Sequence, residues 1–383
     1  MKTSYTIAIT AIITAVIAGG IAFVAMKPTG QDTTDNQSSA GRPYEGEHLH
    51  VTAWSGSWAE TFKAGVVPPF EEKTGAEVEV TAGWSDLIPK SIAGAPDNPP
   101  WDVTICTETT IVRGIEENIF LPLRKQNIPN LEEFYDVFRE GGAFSDELYK
   151  YGVAADGALE ALIWNNEYLP EGVELDSFED IFVNPDSSLK GKIGLEFSQW
   201  GLMELAIACQ DEPGMQELYS EEGVDAVFDM LKDIKPYIGT FWQSGGEAFS
   251  ALESGDIAIT AYYQGSGSSW VLDSPNAGMT VPETSCISYW DFWAINRGTE
   301  HRRLAEEFLN YLASKKGQER ILRYVGNFVA RKDIDPRVAN YILEPLVPQS
   351  AEEWNSIAFP KAGTIAEKWS SEWRDRFKEI MQS

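Results

Sequence analysis

The stretch LHVTAWSGSWAETFKAGVVPPFEEKTGAEVEVTAGW, Leu49 to Trp84, changes its pattern twice. Leu49 to Ala53 is a short β-rich run that predicts a strand, and the corner Trp54-Ser55-Gly56-Ser57-Trp58 ends it. Trp58 to Lys73 reads as a helix, and Glu77 to Ala82 returns to strand before a second corner, Trp84-Ser85-Asp86. Strand, corner, helix and strand within so short a span argue for an α/β protein.

The same alternation continues downstream. Further strands are predicted over Asp102 to Cys106, Tyr151 to Ala155, Ile193 to Phe197, Ile257 to Tyr262 and Asp291 to Asn296. Helices are predicted over Ser85 to Ala93, Gly223 to Ile234, Glu247 to Glu253, Glu300 to Ala313, Lys316 to Val325 and Ala366 to Met381. In open α/β sheets ligands gather beyond the carboxyl ends of strands. Here those corners are aromatic, at Trp54 and Trp58, Trp84, Trp200, Trp242, Tyr262-Tyr263-Gln264 and Tyr289-Trp290-Asp291. Thirteen Trp is a high count, and six aromatic corners together make candidate ligand walls, with packing in the core as the alternative for any single Trp.

At 383 residues the chain exceeds what a single hydrophobic core normally fills, so two lobes are expected over residues 47–383. Before them, Tyr5 to Met26 is an almost unbroken apolar run flanked by Lys2 and Lys27, long enough to span a bilayer. Residues 1–27 therefore read as an N-terminal membrane helix, with a cleaved signal segment as the alternative. Residues 28–46 are polar and have little to bury, which predicts a disordered tether.

The net charge of −29 speaks against a nucleic-acid partner, because no surplus of Lys and Arg exists to displace phosphate counterions. It suits capture of cations, or simply a surface kept soluble in salt. Cys106, Cys209 and Cys286 lack metal-site spacing and read as small buried hydrophobes, with one long-range pair as the alternative. The only histidines are His48, His50 and His301, none beside a candidate nucleophile, so no hydrolase triad is drawn. The run Gly265-Ser266-Gly267-Ser268-Ser269-Trp270 lacks the third glycine of a dinucleotide fingerprint and reads as a loop. The sequence points to no enzyme, no cofactor and no metal site.

From Leu49 to Asp333 the order of short phrases resembles the extracellular solute-binding proteins of ABC importers, in particular the spermidine and putrescine receptors. The phrases are Pro69-Phe70-Glu71-Glu72-Lys73-Thr74-Gly75-Ala76-Glu77-Val78, Pro99-Pro100-Trp101-Asp102-Val103, Ile163-Trp164-Asn165, Leu189-Lys190-Gly191-Lys192-Ile193-Gly194, Leu252-Glu253-Ser254-Gly255-Asp256-Ile257 and Leu304 to Leu312. The resemblance implies a two-lobe periplasmic-binding-protein fold with a hinge and an interlobe cleft. It also implies a place at the cell surface or in the periplasm, and a permease as partner. Tyr289-Trp290-Asp291-Phe292-Trp293-Ala294-Ile295 matches the phrase that supplies a carboxylate for a ligand amine, giving Asp291 that role and Tyr289 the role of aromatic wall. Tyr263-Gln264-Gly265 stands where the family has an aromatic-Asn-Gly.

An aliphatic polyamine needs carboxylates for its ammonium ends and aromatic faces along its methylenes. The expected ligand set is thus Trp54, Ser57, Trp58, Trp84, Asp86, Glu108, Asp156, Trp200, Trp242, Tyr263, Gln264, Tyr289 and Asp291. For Asp86, capping of the following helix is the alternative. Sugar, iron and thiamine are the alternative ligands. Tyr262-Tyr263 is the feature an iron site would use, although neighbours in a strand face opposite ways. A surface adhesion module, with the aromatic corners as hot spots, is the reading of another class.

Overall fold

A computed structural model describes residues 42–383 except 174, 176, 209–217, 219, 283–287, 356, 358 and 360. The expected membrane helix at 1–27 and most of the tether lie outside the described residues, as do Cys209 and Cys286. Among the described residues no helix is long and apolar enough to cross a membrane. The last residues read as tether, 42–46, form a turn on the domain, with the Tyr44 N–H donating to the Thr74 carbonyl at 2.9 Å.

Among the described residues ten strands join into one sheet: β1 His48–Trp54, β2 Glu77–Gly83, β3 Val103–Thr107, β4 Gly152–Asn165, β5 Ile193–Glu196, β6 Ile238–Trp242, β7 Ile259–Tyr263, β8 Ala277–Thr280, β9 Ser288–Ile295 and β10 Phe328–Val329. The order along the main path is β2-β1-β3-β9-β4-β7-β5-β6, while β8 and β10 pair with β4. β1 runs parallel to β2 and β3, and β5 runs parallel to β6 and β7. Between these two parallel sets lie β9 and β4, antiparallel to each other and to the strands beside them on the path.

The apolar side chains sort accordingly. Of three clusters among the described residues, the two largest gather Val51, Phe62, Phe70, Ile105, Trp293 and Phe308, and Leu162, Leu195, Val227, Leu231, Trp373 and Phe377, while a small third holds Ile163, Trp242, Leu252 and Tyr262. β4 contributes Val153 and Ala154 to the first and Leu162 to the second, and β9 contributes Phe292 to the first and Tyr289 to the second. A strand buried on both faces reads as a nearly continuous apolar run. That is the character of β4, which is far longer than the Tyr151 to Ala155 segment read from the sequence.

Other elements depart from expectation for local reasons. The helix expected over Trp58 to Lys73 is two, Ser57–Gly65 and Pro68–Thr74, because Pro68 and Pro69 have no N–H to continue the ladder. Gly75, at φ 81°, closes the second in the left-handed conformation that glycine adopts without strain. The run Gly265 to Trp270, expected as a loop, is part of a helix, Gln264–Asp273. A Cβ on Gly267 would come within 2.8 Å of Ile163, so close packing on β4 overrides the poor helix propensity of glycine.

Candidate solute-binding site

The carboxyl ends of β1, β3 and β7 meet β9 and β4, where Thr107 stands opposite Asp291 and Tyr263 opposite Glu160 in the ladders. β1 ends at Trp54, whose indole N–H donates to Asp291 of β9 at 2.9 Å. β3 leads directly into the helix Glu108–Glu116, capped by Thr107, and Glu108 accepts from the backbone N–H of Trp290 at 2.8 Å. β5 ends at Glu196 and β7 at Tyr263, and the Tyr263 hydroxyl donates to Glu196 at 2.7 Å. Asp156 of β4 stands opposite Asp291 in the β4–β9 ladder. It accepts from the Trp293 indole at 3.1 Å and from the Asn327 amide at 2.8 Å. Asn327 also donates to Asp291 at 3.4 Å, and its carbonyl accepts from the Tyr289 hydroxyl at 3.2 Å.

A second set of acids lies further along β4. Glu160 shares the face of Asp156, since side chains alternate along a strand, and stands roughly 13 Å away at the usual rise per residue. Glu196 of β5 and Glu204 of the helix Gln199–Ala208 complete this set, and each of the three acts on at least one of the others through its charge. Glu108, Asp156, Glu160, Glu196, Glu204 and Asp291 are all buried. Among the described residues no Lys, Arg or His pairs with Glu108, Asp156, Glu196, Glu204 or Asp291.

Burial disfavours the charged form of each acid. It raises Glu108 to about 8, Glu196 to about 7 against the hydrogen bond from Tyr263, and Asp156 to about 6 against those from Asn327 and Trp293. Asp291 is pushed well above the carboxylate range by burial and then by the charge of Asp156. Burial does the same to Glu160 and Glu204, and the neighbouring carboxylates add to it.

A chain of aromatic rings connects residues hydrogen-bonded to the two sets, from Trp54 on Asp291 to Tyr263 on Glu196. Trp54 meets Trp84 edge to face at 5.6 Å, Trp84 lies 6.3 Å from Tyr263, and Tyr263 meets Tyr289 at 4.7 Å. Trp54, Trp84 and Tyr263 are half-buried, whereas Tyr289 is buried.

The remaining expected residues fall elsewhere. Trp58 stacks on Phe62 at 5.0 Å inside the first apolar cluster, and Trp200 packs edge to face on Tyr289 from within the second. Trp242 is fully buried, with its indole donating to Thr260 at 3.0 Å. Ser57 is exposed as the first residue of its helix. Asp86 is exposed and occupied by the Trp84 N–H at 2.9 Å and by Lys90 at 2.6 Å. Gln264 is fully buried; its carbonyl accepts from the Leu159 N–H at 2.6 Å and its amide donates to the Gly326 carbonyl at 3.0 Å.

Sequence reading missed Glu160, Glu196, Glu204 and Asn327. The signal for the first and third was a single acid inside an otherwise apolar element, in GALEAL and in QWGLMELAIA. For iron, Tyr262 and Tyr263 are poor ligands: burial and the charges of Glu196 and Glu160 hold both phenols far from the phenolate form. Among the described residues no group of three or more His, Cys, Asp or Glu is arranged to hold a metal ion.

A mixed sheet with two parallel sets joined by crossing strands, and a polar seam between two cores, is the architecture of a periplasmic-binding-protein fold. The chain belongs to the bacterial extracellular solute-binding protein family, whose match covers residues 65–347. It is 22% identical over 287 residues to the gamma-aminobutyric acid-binding protein of Pseudomonas aeruginosa, covering 73% of this chain and 76% of that one. It is also 22% identical over 318 residues to the putrescine-binding periplasmic protein PotF of Escherichia coli, covering 78% and 82%. In fold it is similar to the MotA protein of A. tumefaciens B6, solved in complex with glucopine. The TM-score is 0.70, with 17% identity and coverage of 87% of this chain and 99% of that one.

Proposed function

We propose that this chain is the receptor of an ABC importer for a polyamine, held at the seam with its ammonium groups on the buried carboxylates and its methylenes against the aromatic rings. One observation carries the choice of ligand: two sets of buried acids are each anchored by an acid on one face of β4, Asp156 and Glu160, and a chain of rings runs from Trp54, hydrogen-bonded to Asp291, through Trp84 to Tyr263, hydrogen-bonded to Glu196. Leaving ionised carboxylates unpaired in such surroundings costs several kcal/mol each, so a ligand bearing two or more ammonium groups is the natural complement. Asp291, Asp156 and Glu108 receive one end and Glu160, Glu196 and Glu204 the other. Trp54, Trp84, Tyr263 and Tyr289 form the wall. Gamma-aminobutyric acid also carries an ammonium group, but its carboxylate needs a cationic partner, and neither set of acids provides one.

The two largest apolar clusters act as lobes that open about the crossing strands β4 and β9, and closure on the solute presents the loaded form to the permease. The N-terminal apolar run keeps the receptor at the outer face of the cytoplasmic membrane. A thermal-shift screen against putrescine, spermidine, gamma-aminobutyric acid, glucose and thiamine tests the ligand. A true ligand at a hundred times its Kd adds about 2.7 kcal/mol of stability. The polyamines are expected to raise the Tm and the others to leave it unchanged; a shift with gamma-aminobutyric acid or glucose and none with the polyamines overturns the reading.

A further inference from the structure

We propose that solute capture here is an exchange, in which the arriving cation displaces protons held by the buried carboxylates of the seam. The inference rests on the polyamine reading and concerns how that same site is regulated. Its geometric basis is the convergence of acids from separate elements. Glu160 comes from β4, Glu196 from the end of β5 and Glu204 from the helix Gln199–Ala208, and the Asp156–Asp291 pair and Glu108 lie along the same seam. Neither carboxyl oxygen of Glu204, only 1% exposed, meets a hydrogen-bond donor among the described residues. Among the described residues the other titratable groups these acids act on are the phenols of Tyr262, Tyr263 and Tyr289 and the thiol of Cys106, none of which supplies positive charge at neutral pH.

Without a cation such a cluster stays buried by holding protons, and the values near 6 to 8 for Asp156, Glu196 and Glu108 place that exchange in the neutral range. When an ammonium group takes its place, the carboxyl O–H bond breaks and the proton passes to solvent. The carboxylate left behind accepts N–H donors from the ammonium, so charge balances with no redox partner. Aliphatic amines keep their charge far above this range, with pKa near 10.4, so the pH dependence belongs to the protein. Affinity then rises with pH, about tenfold per unit for each proton released. The carrier grips in neutral or alkaline surroundings and loosens in acid.

Isothermal titration of the full-length protein in detergent with putrescine, at pH 6.5 in two buffers of different ionisation enthalpy, counts the protons released. The expected result is about one or more protons per ligand, together with at least a tenfold gain in affinity between pH 5.5 and 7.5. Glu204→Gln is expected to lower the proton count and flatten the pH profile. Putrescine binding with the same heat in both buffers and an affinity flat across this range overturns the exchange and leaves the receptor reading standing. If neither putrescine nor spermidine binds at any of these pH values, both fall.

Discussion

Asp156 and Asp291 stand directly opposite each other across the antiparallel β4–β9 ladder, and Asn327 donates to both. Like charges in directly opposed positions destabilise a strand pair, so the pair persists by sharing a proton or by sharing a cation. Asp291→Asn keeps the shape and removes a charge. With putrescine it is expected to weaken binding by about 2–5 kcal/mol, because an ammonium group is left desolvated without its partner. Titration calorimetry with the fold verified by circular dichroism measures this. Affinity close to wild type would remove Asp291 from the site.

The tryptophans divide into reporters and core residues. Trp54 and Trp84 are half-buried at the seam, whereas Trp242 is fully buried with its indole satisfied by Thr260. Ligand addition is expected to change the intrinsic fluorescence. Trp54→Phe and Trp84→Phe should remove most of that change and Trp242→Phe little of it. A signal lost only in the Trp242 variant would move the ligand away from the seam.

Gln264 replaces the asparagine of the family phrase, and its amide joins the Leu159 N–H of β4 to the Gly326 carbonyl. Gln264→Ala leaves both backbone groups buried without a partner, a loss of about 2–4 kcal/mol in unfolding free energy. Chemical denaturation measures it. Unchanged stability with a large loss of affinity would instead make Gln264 a ligand contact.

Stability should also depend on pH. Glu108 titrates near 8 in the fold against 4.5 ordinarily, owing to burial, so the folded protein binds the proton more tightly than the unfolded chain. The stability this confers is fully present below about 4.5 and is lost as pH rises toward 8, with a slope on the order of 1.4 kcal/mol per pH unit for one proton. Ligand-free protein is therefore expected to melt at a lower temperature at pH 8 than at pH 6. Glu108→Gln should reduce that difference, and a Tm that rises steadily over the range would show that these acids ionise freely.

The aromatic corners and the Tyr289 to Ile295 phrase were legible because a strand end and its side-chain chemistry are local properties of sequence. The strands at Leu49, Glu77, Asp102 and Ile193 followed from β-rich runs bounded by polar or aromatic corners. Strand β6 did not, nor did the full length of β4, whose burial on both faces erases the alternation that marks a half-exposed strand. Which corners face the seam was likewise invisible. Trp54 and Trp242 both sit at strand ends, yet one donates to Asp291 and the other to Thr260 within a core. Glu160, Glu196 and Glu204 are scattered over more than forty positions and act on one another only because β7 joins β4 to β5 in the sheet. Sequence alone therefore determined the alternation of strands and helices, the family resemblance and the acidic and aromatic composition. The tertiary structure decided which acids lose their water together, because desolvation and charge repulsion depend on distances in space that no spacing along the chain encodes.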